Sequence, residues 1–189
     1  MGRTYIALAA ATAAVLSAAT ALADSWLPPT EQDYFSANQE YYLHVVPGDG
    51  LTPARGALYR ALPGRDAEAL WARDLANPNA PNKVLVAASG EYVVTFDEWG
   101  QVGYGPNVVV IYGPGGELVR KFALEDFLAE EEVAAVPATV SSRWWGGEHY
   151  LDEETAVVVL MVATGRVGAD GTAEFREVRI RLADGEVLP

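Results

Sequence analysis

The chain has 189 residues, half of them hydrophobic, and none is cysteine, which excludes disulfides, thiolate catalysis and cysteine-ligated metals. Its formal net charge of −13 disfavours binding to nucleic acid or to anionic membranes, because phosphates recruit Lys and Arg. The acidic residues are scattered, as is typical of a solubilising surface, although a binder of cations or of cationic partners is an alternative.

The amino terminus has the three-part pattern of a secretory signal peptide. Arg3 is followed by an uncharged, Ala-rich run, and an Ala-Leu-Ala triplet ends at Ala23. This pattern predicts that residues 1–23 are removed and that the protein is exported to the periplasm or the cell exterior. A transmembrane anchor is the alternative, but the run falls short of about 20 strongly apolar residues. Residues 24–189 are then expected to form a single β-rich domain without membrane contact and with a formal charge of −14, since Arg3 is the one charge removed.

The first part of the mature chain predicts an extended lead-in, two strands and one ambiguous segment. Residues 24–32 contain two prolines, which favour extended backbone, and Trp26 is expected to pack onto the domain. Residues 41–46 and 56–60 are predicted strands because they are rich in β-branched and aromatic side chains or lie between turn signals. Residues 68–75 have the composition of a short helix, whereas their position in an internal repeat favours a strand.

The central region predicts an antiparallel meander with one long loop. Short β-rich runs alternate with Gly-containing turns, and glycine supplies the positive φ that tight turns need. The predicted strands are residues 84–87, 92–96 and 108–112, with a weaker fourth at 118–121. The loop at residues 97–107 is longer than the other connections and rich in aromatic side chains, so it is the first place to look for function.

The carboxyl-terminal part predicts one helix and further strands. Apolar side chains recur at helical spacing through residues 123–136, and Pro137 ends the run. The apolar positions are Leu124, Phe127, Leu128 and Val136. Residues 155–163 and 175–182 are predicted strands, with turns at residues 151–154 and 183–186.

The predicted elements recur with a spacing of about 50 residues. A turn followed by an aromatic strand residue occurs at Tyr41 and again at Tyr92, 51 residues later. A tyrosine before a Gly-containing turn occurs at Tyr59 and again at Tyr112, 53 residues later. A less regular third copy begins near Asp152. The repeat therefore predicts about three similar β units along the chain.

These units resemble the blades of β-propellers, including the WD40-like repeats of exported bacterial proteins. The resemblance is carried by residues 36–46 with Tyr59, by residues 89–96 with 115–118, and by residues 152–161 with 184–187. It implies an all-β fold of antiparallel meanders, propeller-like or an incomplete propeller, since three units are fewer than the four blades of a closed ring. The GH and WD dipeptides of that family are absent from the sequence. Propellers serve many unrelated functions, so the resemblance implies a fold and no activity.

Two sets of residues are candidates for catalysis. His149 precedes several carboxylates and can act as a general base with one of them, whereas His44 lies within a strand and is expected to be structural. Acids near Asp97 and Asp152, flanked by tryptophans, can form the acid/base pair of a hydrolase or bind Ca²⁺. Motifs for a serine nucleophile, a calcium loop or a phosphate loop do not occur in the sequence. We expect no metal and no cofactor.

Packing in the core is the simplest explanation of the large aromatic side chains, and a recognition surface for a protein or a glycan is the functional alternative for aromatics on loops beside acids. Trp144 and Trp145 point to opposite faces in extended backbone, so at most one of them is expected to be exposed. The candidate binding residues are Asp97, Glu98, Trp99, Tyr104, Trp144, Trp145, His149 and Tyr150. The sequence therefore predicts a secreted, non-enzymatic binding or scaffold module of unknown ligand, with an extracytoplasmic hydrolase as the alternative.

Overall fold

A computed structural model describes residues 26–189, in which twelve strands form three four-stranded antiparallel sheets. The first sheet contains β1 (Gln32–Phe35), β2 (Tyr41–Val46), β3 (Arg55–Arg60) and β4 (Glu68–Asp74). The middle sheet contains β5 (Pro81–Val86), β6 (Val93–Glu98), β7 (Val109–Tyr112) and β8 (Leu118–Phe122). The third sheet contains β9 (Tyr150–Asp152), β10 (Val157–Val167), β11 (Ala173–Arg181) and β12 (Val187–Leu188). The signal peptide predicted at residues 1–23 lies outside the described residues.

Each strand pairs with the next one along the chain, so each sheet is a simple meander. None of the three sheets closes into a barrel, and the arrangement fits an incomplete set of blade-like units. The predicted fold class, all-β with antiparallel meanders and one α-helix, is therefore confirmed. The segment with ambiguous composition is a strand, β4, in which Trp71 pairs with Leu58 and both side chains are buried.

The middle sheet is buried on both faces, which divides the hydrophobic core in two. The first core lies between the first and middle sheets and contains Leu58, Trp71 and Val93. The second core lies between the middle and third sheets and contains Val94 and Leu160. Consecutive residues of β6 therefore point into different cores, as the two-residue period of a strand requires. This explains why β6 and β7 are buried at every position.

The predicted repeat is visible in the first hairpin of each sheet. The turn residues Gln39, Gly90 and Ala156 all have positive φ, at 60°, 72° and 51°. In the first two sheets the same backbone bond closes the turn, from Gln39 to Ser36 and from Gly90 to Ala87, each 2.9 Å long. The first two hairpins thus share one local geometry although their sequences differ, and the third shares the positive φ of one turn residue.

The last turn of one sheet also packs against the last strand of the preceding sheet. The Arg73 guanidinium donates to the carbonyl of Gly116, and the Arg120 guanidinium donates to the carbonyl of Gly185 at 3.1 Å. Gly116 has a φ of 77° and lies directly against the indole of Trp71. Neighbouring sheets are therefore joined by the same kind of polar contact at equivalent positions.

Two predicted elements have other bounds in the structure. The helix predicted at residues 123–136 is a 3₁₀ turn, Leu124–Asp126, followed by the short helix α1, Glu130–Ala135. The carboxylate of Asp126 binds the N–H of Ala123 and that of Glu132 binds the N–H of Ala129, so helical structure starts twice. The turn predicted at residues 151–154 begins in β9, a strand too short to have a recognisable pattern. Within the described part of the chain, no helix has the length and apolarity needed to cross a bilayer.

Substitution of Gly116 by alanine tests the contact between the first two sheets. An added methyl group would lie 2.7 Å from the Trp71 ring, and the positive φ disfavours any side chain. We expect a loss of about 2–4 kcal/mol in the free energy of unfolding, measured with urea. Gly64→Ala is the matched control, because Gly64 occupies the corresponding turn of the first sheet at φ 70° with open space around it. Its expected loss is about 1 kcal/mol, and equal losses for the two variants would contradict the packing described here.

Candidate functional site

A pocket of about 350 Å³ opens where the loop after β6, the amino-terminal segment and the segment before β9 meet. Four of the five tryptophans of the chain line it. The lining residues are Trp26, Asn82, Lys83, Phe96, Asp97, Trp99, Val102, Trp144, Trp145, Gly146, Gly147 and His149. This size and this apolar lining with a few polar groups are typical of small-molecule sites.

Five of the eight predicted binding residues therefore meet in one place. They are Asp97, Trp99, Trp144, Trp145 and His149. The other three lie elsewhere: the Glu98 carboxylate accepts the N–H of Asn79 at 2.6 Å, and the Tyr104 hydroxyl donates to the carbonyl of Thr139 at 3.0 Å. Tyr150 belongs to β9, with its hydroxyl 3.4 Å from Glu177. None of these three lines the pocket.

Asp97 is placed by an unusual backbone conformation near the end of β6. Its φ is 53°, in the left-handed region that Asp tolerates better than most residues. Hydrogen bonds hold the residue on both sides, because its N–H donates to the carbonyl of Val108 at 3.0 Å and its carbonyl accepts from the Asn77 amide at 2.7 Å. The Asp97 side chain is thereby directed into the protein rather than along the strand.

The Asp97 carboxylate lies at the floor of the pocket and is almost completely buried. It accepts the N–H of Gly103 at 2.7 Å, and the indole N–H of Trp145 lies 3.2 Å from both of its oxygens. Burial raises the pKa of Asp97 to about 6, although the hydrogen bonds from Gly103 and Trp145 act in the opposite direction. The carboxylate therefore changes charge close to neutral pH.

His149 is held in a stack of three rings. Its imidazole lies 4.9 Å from the Phe96 ring and 4.6 Å from the Trp145 ring, nearly parallel to both. Its Nδ1 accepts the N–H of Met161 at 3.1 Å, which assigns the proton of the neutral ring to Nε2. Burial, with a smaller effect of the Lys83 charge, lowers the pKa of His149 to about 3, so the ring stays neutral at ordinary pH.

The rim of the pocket is formed by partly exposed tryptophans. Trp26 packs edge-on against Trp99 at 5.7 Å, and the Trp99 indole donates to the carbonyl of Leu27 at 2.8 Å. Trp144 is 53% exposed, whereas Trp145 is 1% exposed, which agrees with the prediction that at most one of the pair is exposed. The packing expected for Trp26 is also present.

Two polar side chains of β5 complete the wall. The Lys83 ammonium donates to the carbonyl of His149 at 3.3 Å, which ties β5 to the segment before β9. The Asn82 amide donates to the carbonyl of Glu98 at 3.1 Å, and its Oδ1 is buried without a hydrogen-bond partner in the described part of the chain. A buried acceptor without a partner is rare in folded proteins, and the same state is found at Asn107 Oδ1, which lies outside the pocket.

The two acids of the predicted hydrolase site lie in different surroundings. Asp152 in β9 does not line the pocket, and its carboxylate pairs with Arg179 at 2.7 Å. Hydrogen bonds from Thr155 and Arg179 lower the pKa of Asp152, the opposite of the effect at Asp97. His44 is also remote from the pocket, with its Nδ1 2.7 Å from Asp33 on the open face of the first sheet.

Seven lining residues escaped the sequence analysis as candidates. Trp26 is expected from the sequence to pack onto the domain, with a lone binding tryptophan as the less favoured alternative. Phe96 ends a predicted strand, and Lys83 directly precedes one. Lys83 in β5 pairs with Phe96 in β6, and directly paired residues point to the same face of a sheet. The correct strand register would therefore have placed both residues close to Asp97, which follows Phe96 in the chain. The others are Asn82, Val102, Gly146 and Gly147, which carry no sequence signal of a site.

Within residues 26–189, no group of three or more His, Asp or Glu side chains is placed to hold a metal ion. In comparisons with known proteins, the sequence matches no family model and no curated protein.

The buried carboxylate predicts a specific pH dependence of stability. The pKa of Asp97 is raised from 3.8 to about 6, so its ionisation opposes folding as the pH rises through this interval. One pKa unit is about 1.4 kcal/mol, so the free energy of unfolding of the wild type should fall by up to about 3 kcal/mol relative to Asp97→Asn between pH 4 and pH 7. Asparagine also tolerates the left-handed conformation. The measurement is urea unfolding of both proteins at several pH values.

Asp152→Asn is the control of opposite sign. The pKa of Asp152 is lowered, so its contribution to stability is present above its ordinary pKa and is lost as the pH falls. The wild type should therefore gain stability relative to this variant as the pH rises from about 3. A stability difference between wild type and Asp97→Asn that stays constant from pH 4 to pH 7 would show that burial does not raise the pKa of Asp97.

Proposed function

We propose that the protein is an exported, non-enzymatic binding module whose ligand site is the tryptophan-lined pocket. The observation that carries the proposal is the convergence of four tryptophans on one pocket around a stacked, hydrogen-bonded floor. Such a pocket offers apolar contact area with a few fixed polar groups, the usual composition of a ligand site. Export is supported by the amino-terminal pattern of residues 1–23.

Binding is favoured over catalysis by the state of the polar groups in the pocket. Asp97 is the one carboxylate among the lining residues of the described chain, so the acid pair that a glycosidase uses is not formed. The Nδ1 atom of His149 is occupied by the N–H of Met161, and the pKa of this histidine is too low for a general base at neutral pH. These groups favour orientation of a ligand rather than proton transfer.

We further propose that the three sheets are blade-like units of an incomplete propeller. The four-stranded meanders support this, as do the two cores on opposite faces of the middle sheet and the repeated contacts from Arg73 to Gly116 and from Arg120 to Gly185. In this arrangement the pocket lies beside the middle sheet, where the loop after β6 meets the segment before β9.

Trp144→Ala tests the proposed site. Trp144 is half exposed, so its truncation should leave the fold intact and remove part of the ligand contact area. The measurement is saturation-transfer-difference NMR with a mixture of neutral trisaccharides, tetramethylammonium and N-acetyltryptophanamide as probes. We expect at least one probe to bind the wild type, with affinity lost about tenfold or more in the variant.

Tyr150→Ala is the matched control, because Tyr150 is similarly exposed at 43% and does not line the pocket. Its affinity for the probe should equal that of the wild type. Failure of every probe to bind, or equal binding by Trp144→Ala, would contradict the proposed site. Conversion of a bound saccharide to a product during the experiment would contradict the non-enzymatic assignment.

A further inference from the structure

We infer that the ligand of the tryptophan-lined pocket is a neutral glycan, with one pyranose ring seated against the floor. This inference rests on the proposed function of the pocket and names the chemical class of its ligand. Three features of the pocket carry it. Indole rings lie at the rim, and polar groups inside the pocket can both donate hydrogen bonds to sugar hydroxyls and accept them. Asp97 and Lys83 carry opposite charges, so neither a cation nor an anion is favoured.

The rim offers the apolar surface that a sugar ring needs. The faces of a pyranose are lined by C–H groups with small positive partial charges, and the face of an indole ring carries the complementary negative potential. Trp26 and Trp144 are 37% and 53% exposed at the rim, and Trp99 is partly exposed beside Trp26. Partly exposed indole rings at the rim of a small pocket suit a flat ring that is apolar on its faces and polar at its edge.

The inner surface of the pocket offers both hydrogen-bond donors and acceptors, from residues 82, 97 and 149. The Asn82 Oδ1 is a buried acceptor without a partner, and the Asp97 carboxylate is a second acceptor. The Nε2–H of His149 is a donor beside Gly146, another lining residue, and no acceptor for it occurs among residues 26–189. A sugar hydroxyl both donates and accepts, so adjacent hydroxyls on one ring can satisfy groups of both kinds.

The charges of the pocket argue against an ionic ligand. Asp97 and Lys83 both line it, so an organic cation meets an ammonium and an anion meets a carboxylate. Trp145 has His149 at 4.6 Å and Phe127 at 5.8 Å, so its ring is not open to a ligand. The buried Trp145 therefore supports the floor and offers its N–H to Asp97 rather than its face to a ligand.

The volume limits how much of a glycan the pocket encloses. About 350 Å³ is near the lower end for ligand sites, so it holds roughly one sugar ring with its ordered water. Further rings of an oligosaccharide would extend past the rim and contact Trp144, the most exposed of the lining tryptophans. We therefore expect a trisaccharide to bind more tightly than the corresponding monosaccharide.

The experiment is isothermal titration of the full mature chain with individual probes. The neutral probes are trisaccharides of glucose, mannose, galactose and N-acetylglucosamine, and the competing probes are tetramethylammonium and N-acetyltryptophanamide. At least one trisaccharide should bind with an affinity that is unchanged between about 0.05 M and 0.5 M NaCl, because screening does not affect a neutral ligand. An ionic ligand would lose affinity over the same range.

Asn82→Ala distinguishes recognition of the sugar by polar groups of the pocket from simple stacking of the sugar on the tryptophans. Loss of one hydrogen bond should weaken trisaccharide binding about tenfold. Asn107→Ala is the matched control, because Asn107 also donates to a backbone carbonyl, at 2.6 Å to Ala76, and also has a buried Oδ1 without a partner, but it does not line the pocket. The control should bind the trisaccharide like the wild type, and circular dichroism reports whether either variant is misfolded.

The outcomes separate the glycan inference from the proposed function. Two results would overturn the glycan class and still support the pocket as a binding site. One is salt-sensitive binding of tetramethylammonium, and the other is binding of N-acetyltryptophanamide alone. In either case the binding must be lost in Trp144→Ala. Trisaccharide binding that is unchanged in both Trp144→Ala and Asn82→Ala would place the sugar elsewhere and overturn the inference. Trisaccharide binding that is lost in both variants and kept in Asn107→Ala supports it.

Discussion

The burial of both faces of the middle sheet is the constraint on which the rest of the structure depends. Val93 points into the core shared with the first sheet and Val94 into the core shared with the third sheet. Absence of either outer sheet would expose a whole apolar face of β6 and β7 to water, at a cost proportional to its area. With no disulfide in the chain, this two-sided burial is the main source of cohesion between the three sheets.

The pocket floor is a continuation of the second core. Trp145 is a member of that core, yet its indole N–H binds Asp97 and one side of its ring stacks on His149. The polar groups of the pocket are therefore held by the same packing that joins the middle and third sheets. The rim differs, because Trp26 and Trp144 are partly exposed and contribute contact area rather than rigidity.

Structural features that depend only on residues adjacent in the chain were predictable from the sequence. Features that depend on side-chain hydrogen bonds or on tertiary packing were not. The bounds of β2 were predicted residue for residue, since a clear β-rich run ends at a Pro-Gly turn. The helix at residues 123–136 was overestimated, because apolar spacing cannot reveal that Asp126 and Glu132 each start a separate turn. Five pocket residues were predictable as aromatics, an acid and a histidine near loops, but Glu98, Tyr104 and Tyr150 carry the same signal and lie outside the pocket.

The sequence by itself determined the longer strands, their meander order, most of the turns and the opposite orientation of Trp144 and Trp145, because alternation and the positive φ of turn residues are local properties. The short edge strands β1, β9 and β12 carry no such pattern. Only the tertiary structure decided which aromatics converge, that Asp97 is buried with a raised pKa, and that Asp152 lies apart from it. The decisive contacts join Trp145 to Asp97 across 48 residues and Trp99 to Leu27 across 72 residues. Contacts over such separations follow from how the three sheets pack, and no local pattern in the sequence encodes them.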